Sequence, residues 1–387
     1  MYIAKRMSRL GTETAFEVLA KAKQLERGGR DIVHLEIGEP DFDTPTNIRE
    51  AAKKALDQGW THYGPSAGLP EHRETISKYM KDYWDLDYSP EEIVVVPGAK
   101  PIMFFTILAC VEEGDEVIYP NPGFPIYESM IEYIGAKAVP IRLREELDFR
   151  LDVAELASLV TKKTRLVIVN SPQNPTGGVL TKDDLAAVAE LAIKNDLIVL
   201  TDEVYNRIIY EGEHHSVASF PGMKERTVLI DGYSKTYAMT GWRMGWGAMP
   251  KDLAPHVTRL MTNSNSCTCS FSQIAGIEGL TGPQEGSKKM VEAFRERRDV
   301  IVDGLNSLPG MTCKKPRGAF YVFPNIKATG KDEKWLADYF LEEAGVACLA
   351  GTSFGEFGKG YIRFSYANSV ENIEKAIGRM AEALKSI

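Results

Sequence analysis

Cysteine is scarce in this chain, and the five that occur (Cys110, Cys267, Cys269, Cys313 and Cys348) form no CxxC pair. The lone C-x-C at Cys267 and Cys269 lacks the second pair that a zinc site needs, so no metal centre is expected, and a sparse, odd set is no disulfide framework. A reducing, cytoplasmic compartment is the expectation. A basic excess is also missing. The 46 Lys and Arg against 54 Asp and Glu leave a formal charge of −8, which argues against a broad nucleic-acid or anionic-membrane surface while leaving room for a local basic pocket. Long apolar runs are lacking too: the most hydrophobic stretch, 93–111, is broken by Pro97, Gly98, Lys100 and Pro101, and the opening MYIAKRMSRLGTETAF has no apolar core of signal-peptide length. Neither a membrane span nor a secretory signal is expected. The absence of repeats, low-complexity tracts and Ser/Gly linkers excludes solenoid and disordered classes.

What remains is 387 residues with 44% hydrophobic content, enough for more than one layered unit around a substantial core. The runs 93–96, 116–119, 166–170, 197–201 and 227–230 are short, rich in Val and Ile and without strict alternation, as strands buried on both faces of a mostly parallel sheet should be. Helix-period segments fill the gaps. Asn47, three before Glu50, is the expected cap of a helix over 48–58 stopped at Gly59, and Thr181 with Asp184 should open a helix over 183–194. After about Pro283 the rhythm changes to a long charged helix around 290–308, GAFYVFPNI, a helix near 332–344, the strand YIRFSYA and a closing amphipathic helix. The expected fold is therefore α/β, with a mostly parallel central sheet sandwiched by helices plus a smaller α+β domain. The expected division is a large domain over 46–282 and a small domain over 283–387, joined by the N-terminal segment 1–45.

Unusual residues cluster after the carboxyl ends of these strands, where open α/β sheets place ligands. Gly98-Ala99-Lys100 follows one strand, Asn170-Ser171-Pro172-Gln173-Asn174-Pro175-Thr176-Gly177-Gly178 another, Asp202-Glu203-Val204-Tyr205 a third and Asp231-Gly232-Tyr233-Ser234-Lys235 a fourth. Together they offer a phosphate-type turn entering a helix, a strand-end carboxylate, a phenol, and a lysine followed eight residues later by Arg243. An aldehyde cofactor with a phosphate and a basic ring nitrogen requires that inventory, and pyridoxal 5′-phosphate fits it.

The blocks GEPDFDTP (38–45), HYGPSAGLPEHR (62–73), NSPQNPTGG (170–178), TDEVY (201–205), SKTYAMTGWRMG (234–245) and YIRFSYA (361–367) resemble the fold-type I, class I/II aminotransferases, the superfamily of aspartate aminotransferase. The resemblance covers nearly the whole chain. It implies that Lys235 holds the cofactor covalently and, once freed, shuttles the proton at the substrate Cα. Asp202 then pairs with the ring nitrogen, Tyr205 and Asn174 bond the ring oxygen, and Phe124 stacks on the cofactor face. The phosphate is expected at the helix N-terminus beginning near Gly98, Ala99 and Lys100, with Arg243 and Ser234. Arg363 matches the arginine that takes the substrate α-carboxylate, assisted by Asn174 and Gly38, the latter in a segment that can close over substrate. Tyr63 matches a tyrosine that reaches the phosphate of a neighbouring subunit, which implies a homodimer with shared active sites. The sequence departs from the commoner pattern at Gly232, where many members have a serine contacting the phosphate.

The implied reaction is ping-pong transfer of an amino group from an L-amino acid to a 2-oxo acid, of an aspartate/2-oxoglutarate type. A lyase of the same fold, acting on C–S bonds or resembling aminocyclopropanecarboxylate synthase, is the alternative, although AMTGWRMG looks more like the aminotransferases. A regulatory protein reusing the fold would carry a helix-turn-helix domain, and only about 30 residues precede the matching block. Lys100 stands where a subgroup resembling bacterial aspartate and prephenate aminotransferases has a lysine for a distal carboxylate, with Thr14 nearby; it could equally face solvent. No second arginine can be assigned to a dicarboxylate.

Overall fold

Strands without a polar face must be covered on both sides, and a computed structural model describing residues 2–387 shows how this chain does it. The N-terminal part supplies only β1 (Val33–His34), and the central sheet follows: β2 (Ile93–Val96), β3 (Glu116–Asn121), β4 (Lys137–Arg142), β5 (Thr164–Asn170), β6 (Ile198–Asp202), β7 (Thr227–Gly232) and β8 (Gly245–Ala248). They lie in the order β2-β8-β7-β6-β5-β3-β4. Alternate residues feed opposite layers. Val94, Val96, Leu166 and Ile168 pack with the helices Lys100–Cys110, Ile126–Tyr133 and Ala254–Asn265, whereas Val167, Val169 and Val199 meet Val153–Leu159 and Lys182–Lys194. Ile93, Val95 and Trp246 face the helices Thr46–Asp57, Pro70–Trp84 and Ser270–Thr281. This is the expected α/β sandwich.

Two strands of the central sheet were not expected. β4 is an edge strand containing Pro140, with only its end residues Lys137 and Arg142 exposed, and an edge placement tolerates the missing N–H. β8 runs antiparallel between β2 and β7, and its sequence Gly-Trp-Gly-Ala has little strand propensity. The glycines are there for packing. A Cβ on Gly245 would come within 2.4 Å of the Ala99 nitrogen and one on Gly247 within 2.6 Å of Ile102, so only bare backbone lets the helix Lys100–Cys110 lie this close to the sheet.

The Thr181/Asp184 capping box forms as expected. Asn47 does not cap its helix: Pro45 holds the cap position, Asn47 falls inside the first turn, and its side chain donates instead to Glu278 Oε1 at 2.8 Å. Downstream, β9 (Tyr321–Val322), β10 (Val346–Ala347), β11 (Leu349–Ala350) and β12 (Ile362–Ser365) are short; β1 pairs parallel with β10, and β12 lies between β11 and β9. Val33 and Leu35 share an apolar cluster with Phe294, Phe320, Phe364 and Ile373. The N-terminal segment is thereby fastened to the C-terminal third of the chain and passes over the carboxyl edge of the central sheet. Among the described residues, no helix is long and apolar enough to cross a membrane.

Candidate active site

The parallel strands end level with one another. Register pairs Asn170 with Asp202 and Asp202 with Ile230, and the Asn170 side chain donates to the Asp202 carbonyl at 3.0 Å. The loops leaving β2, β5, β6 and β7 consequently open onto one cavity of about 560 Å3. Ala99, Lys100, Phe124, Asn174, Asp202, Tyr205, Ser234, Lys235 and Arg243 line it from the sheet side, and Gly38 and Arg363 line it from the other. Gly98 lies behind Arg243: a Cβ there would sit 2.2 Å from Arg243 Nη2, and its φ of +82° suits glycine. Tyr63 is the exception. Its ring is 91% exposed and does not line this cavity.

Lys235 follows β7 and its Nζ donates to the Gly38 carbonyl at 2.6 Å. Burial pushes its amine down to about 8, opposed by Glu39 and assisted by Arg363 across the cavity. An amine so placed is partly unprotonated at neutral pH, which is what a nucleophilic lysine requires. At the floor, burial lifts the Asp202 carboxyl to about 6, and a hydrogen bond of 2.6 Å from the Tyr127 hydroxyl to Oδ2 pulls the other way. An acid with no fixed cation beside it, held near neutrality, suits a ligand that brings the cation with it.

Arg363 is 3% exposed. Its Nη1 donates to Asn174 Oδ1 at 3.3 Å and its Nη2 to the Glu36 carbonyl, while Nε is buried without a partner. Tyr321 and Phe354 hold the guanidinium at 4.6 and 4.9 Å from their ring centroids. Such a buried, incompletely bonded fork is a receptor for a carboxylate. Burial keeps the Tyr205 phenol well above its ordinary pKa, and its hydroxyl lies 2.8 Å from that of Tyr321. Arg243, in the left-handed region at φ +53°, lays its guanidinium against Gly98, two residues before the helix Lys100–Cys110.

Residues 30–380 match the family described as aminotransferase class I and II. The chain belongs to that family. This aminotransferase is 40% identical to the aspartate aminotransferase of Pyrococcus horikoshii, over 99% of this chain and 97% of that one. It is also 40% identical to aromatic-amino-acid aminotransferase 2 of Thermococcus litoralis, over 95% of each. Its fold is that of the aspartate aminotransferase from Thermus thermophilus solved with maleate, with a TM-score of 0.94 at 38% identity over 99% of this chain and all of that one.

Four residues lining this cavity were not singled out in the sequence: Tyr127, Tyr321, Glu39 and Glu13. Tyr127 and Tyr321 were given no role there, although Tyr127 stands in the same NPGFPIY block as Phe124 and Tyr321 in GAFYVFPNI. Glu39 adjoins Gly38 and its carboxylate accepts from Thr240 Oγ1. Glu13, from the segment before the helix Thr14–Arg27, pairs with Lys100 at the cavity rim, so Lys100 neither points free into solvent nor stands as an isolated cation. Gly38 has a steric reason: a Cβ there would meet the Tyr321 hydroxyl at 2.0 Å.

Proposed function

We propose that this aminotransferase uses pyridoxal 5′-phosphate to pass the amino group of an L-amino acid, aspartate among the donors, to a 2-oxo acid such as 2-oxoglutarate. The observation that carries this reading is the pairing, in one cavity, of the depressed Lys235 amine with the buried, incompletely bonded Arg363. The fit to the cofactor rests on complementary groups: an uncompensated acid at Asp202 for a basic ring nitrogen, phenol and amide donors at Tyr205 and Asn174, and bare backbone at Gly98 beneath Arg243 for a phosphate. A volume of about 560 Å3 suits a small cofactor with a substrate beside it. When bound, pyridoxal phosphate supplies the carbonyl that takes the amino group and a ring that accepts the electron pair left at Cα.

The protein does the rest. Lys235 Nζ would hold the cofactor and, when free, take the Cα proton and return it; its low pKa suits both tasks near neutral pH. Tyr127 keeps Asp202 ionised so that the ring nitrogen stays protonated. Phe124 would cover one ring face, and Arg243, Ser234 and the N–H groups of Ala99 and Lys100 would hold the phosphate. Arg363 with Asn174 would orient the substrate by its α-carboxylate, and the Gly38-Glu39 segment would exclude water. Lys100 would receive a distal carboxylate. The exposed Tyr63 would serve the phosphate of a second copy, making the working unit a homodimer, with 46–282 as the cofactor-binding domain and 283–387 together with 1–45 as the closing one. The cysteine usage supports a cytoplasmic setting.

The test is steady-state kinetics of the pure holoenzyme over a panel of donors with 2-oxoglutarate or pyruvate as acceptor. Stoichiometric amino transfer is expected. Release of ammonia and pyruvate from a donor without transfer would identify the lyase chemistry instead.

A further inference from the structure

Glu13 and Lys100 are 87 positions apart in the chain, yet they form an ion pair at the rim of the active-site cavity. The Glu13 segment is held from outside: Arg9 Nη2 donates to the Tyr133 carbonyl at 3.0 Å and the Gly11 N–H to Ser129 Oγ at 2.8 Å. The Glu13 side chain is the more enclosed partner, 19% exposed against 42% for Lys100. Its charge reaches across the cavity, favouring the protonated forms of Lys235 and Arg363. A recess of about 30 Å3 continues the cavity between Glu13, Thr14, Phe124, Asn174 and Arg363. Lys100 Nζ lies 5.3 Å from the Phe124 ring centroid, so the ammonium keeps an attractive aromatic face when its carboxylate partner moves away.

Amino transfer requires one cavity to seat donor and acceptor in turn, both held by the same α-carboxylate receptor. If one of them carries a distal carboxylate and the other an uncharged side chain, a permanently free ammonium at the far end would suit only the first, because an apolar side chain would desolvate it without compensation. A permanently neutral end would suit only the second. The Glu13–Lys100 pair meets both demands: closed, it presents no net charge; opened, it offers Lys100 to the ligand.

We propose that Glu13 is an exchangeable counter-ion for Lys100 that sets the preference of this enzyme between dicarboxylic and monocarboxylic ligands. A dicarboxylate takes the place of Glu13 on Lys100; a neutral or aromatic side chain leaves the pair closed. The inference rests on the aminotransferase reading with Arg363 as the α-carboxylate receptor. It makes Glu13 a specificity residue that touches the substrate's far end only by competing for its partner.

Binding of two unreactive analogues, maleate and 3-phenylpropionate, to the pyridoxal-phosphate-loaded enzyme by titration calorimetry tests it. Glu13→Gln should raise the affinity ratio of maleate over 3-phenylpropionate roughly fivefold to tenfold, and Lys100→Gln should lower it by a similar factor. The kcat/KM ratio for aspartate over phenylalanine should move the same way in each variant. Once Lys100→Gln is present, adding Glu13→Gln should change the ratio little, because the exchange has lost its object. A ratio unmoved by either substitution, or lowered by Glu13→Gln, overturns the proposal. Failure of the unsubstituted enzyme to bind either analogue or to transfer amino groups from any donor strikes the underlying reading of the site instead.

Discussion

Replacing Tyr127 by phenylalanine removes one oxygen from the floor of the site and leaves the ring that packs edge-on against Phe124 at 5.6 Å. That oxygen donates at 2.6 Å to Asp202 Oδ2, and the other carboxylate oxygen has only the Val204 N–H at 3.4 Å. A hydrogen bond to a charged acceptor is worth about 1.5–3 kcal/mol, which at 1.36 kcal/mol per pKa unit corresponds to a rise of about 1–2 units. From its native value of about 6, the Asp202 carboxyl would move into the range of roughly 7–8. The assay is the dissociation constant of pyridoxal phosphate for the apoprotein between roughly pH 5.5 and 9, followed by fluorescence. Because binding draws on the ionised carboxylate, Tyr127→Phe should weaken affinity roughly tenfold near pH 6.5, with the deficit closing toward pH 9. Lys235 titrates in both proteins and cancels from the ratio. A loss of the same size at every pH, or none, would show that Tyr127 does not act through the ionisation of Asp202.

Other consequences follow from the same groups. The Lys235 amine, held at about 8, should make the apoprotein capture the cofactor with a rate midpoint near that pH; a midpoint near that of an ordinary lysine contradicts the burial account. Asp202 has its pKa raised by folding, so its contribution to stability is present below the unfolded value of 3.8 and lost as pH rises through about 6. Asp202→Asn should therefore stabilise the apoprotein at pH 7 by about 1–3 kcal/mol in thermal or denaturant unfolding, with the gain fading below roughly pH 4, while amino transfer collapses. Arg363→Lys replaces a planar fork by a point charge and should lower kcat/KM by roughly two orders of magnitude for every donor, mostly through KM; a loss confined to dicarboxylic donors would mean that Arg363 holds the distal end instead.

The parts of the molecule legible in the sequence are those where a single local constraint dominates. Val/Ile runs buried on both faces announce the sheet, and strand-end loops rich in Asn, Pro, Gly and Lys announce its functional edge. β8 was hidden because its glycines answer to the helix packed on it and not to strand propensity. Asn47 misled because a good capping residue two positions past the cap finds another partner, here Glu278. Tyr127 and Tyr321 were invisible for a different reason: a buried aromatic looks the same in sequence whether its hydroxyl is idle or bonds Asp202 or Tyr205. The Glu13–Lys100 pair depends on the N-terminal segment lying along the Ile126–Tyr133 helix, a tertiary relation that no local pattern encodes.

The assignment of the cofactor and the amino-transfer chemistry to Lys235 is the proposal on which the other roles depend. Borohydride reduction of the pyridoxal-phosphate-loaded enzyme followed by peptide mapping tests it most directly. A single phosphopyridoxyl group per chain is expected, on Lys235, and none in enzyme first exposed to excess amino donor without acceptor. Stable label on Lys100 or any other lysine, or labelling of Lys235 undiminished by the donor, would contradict it.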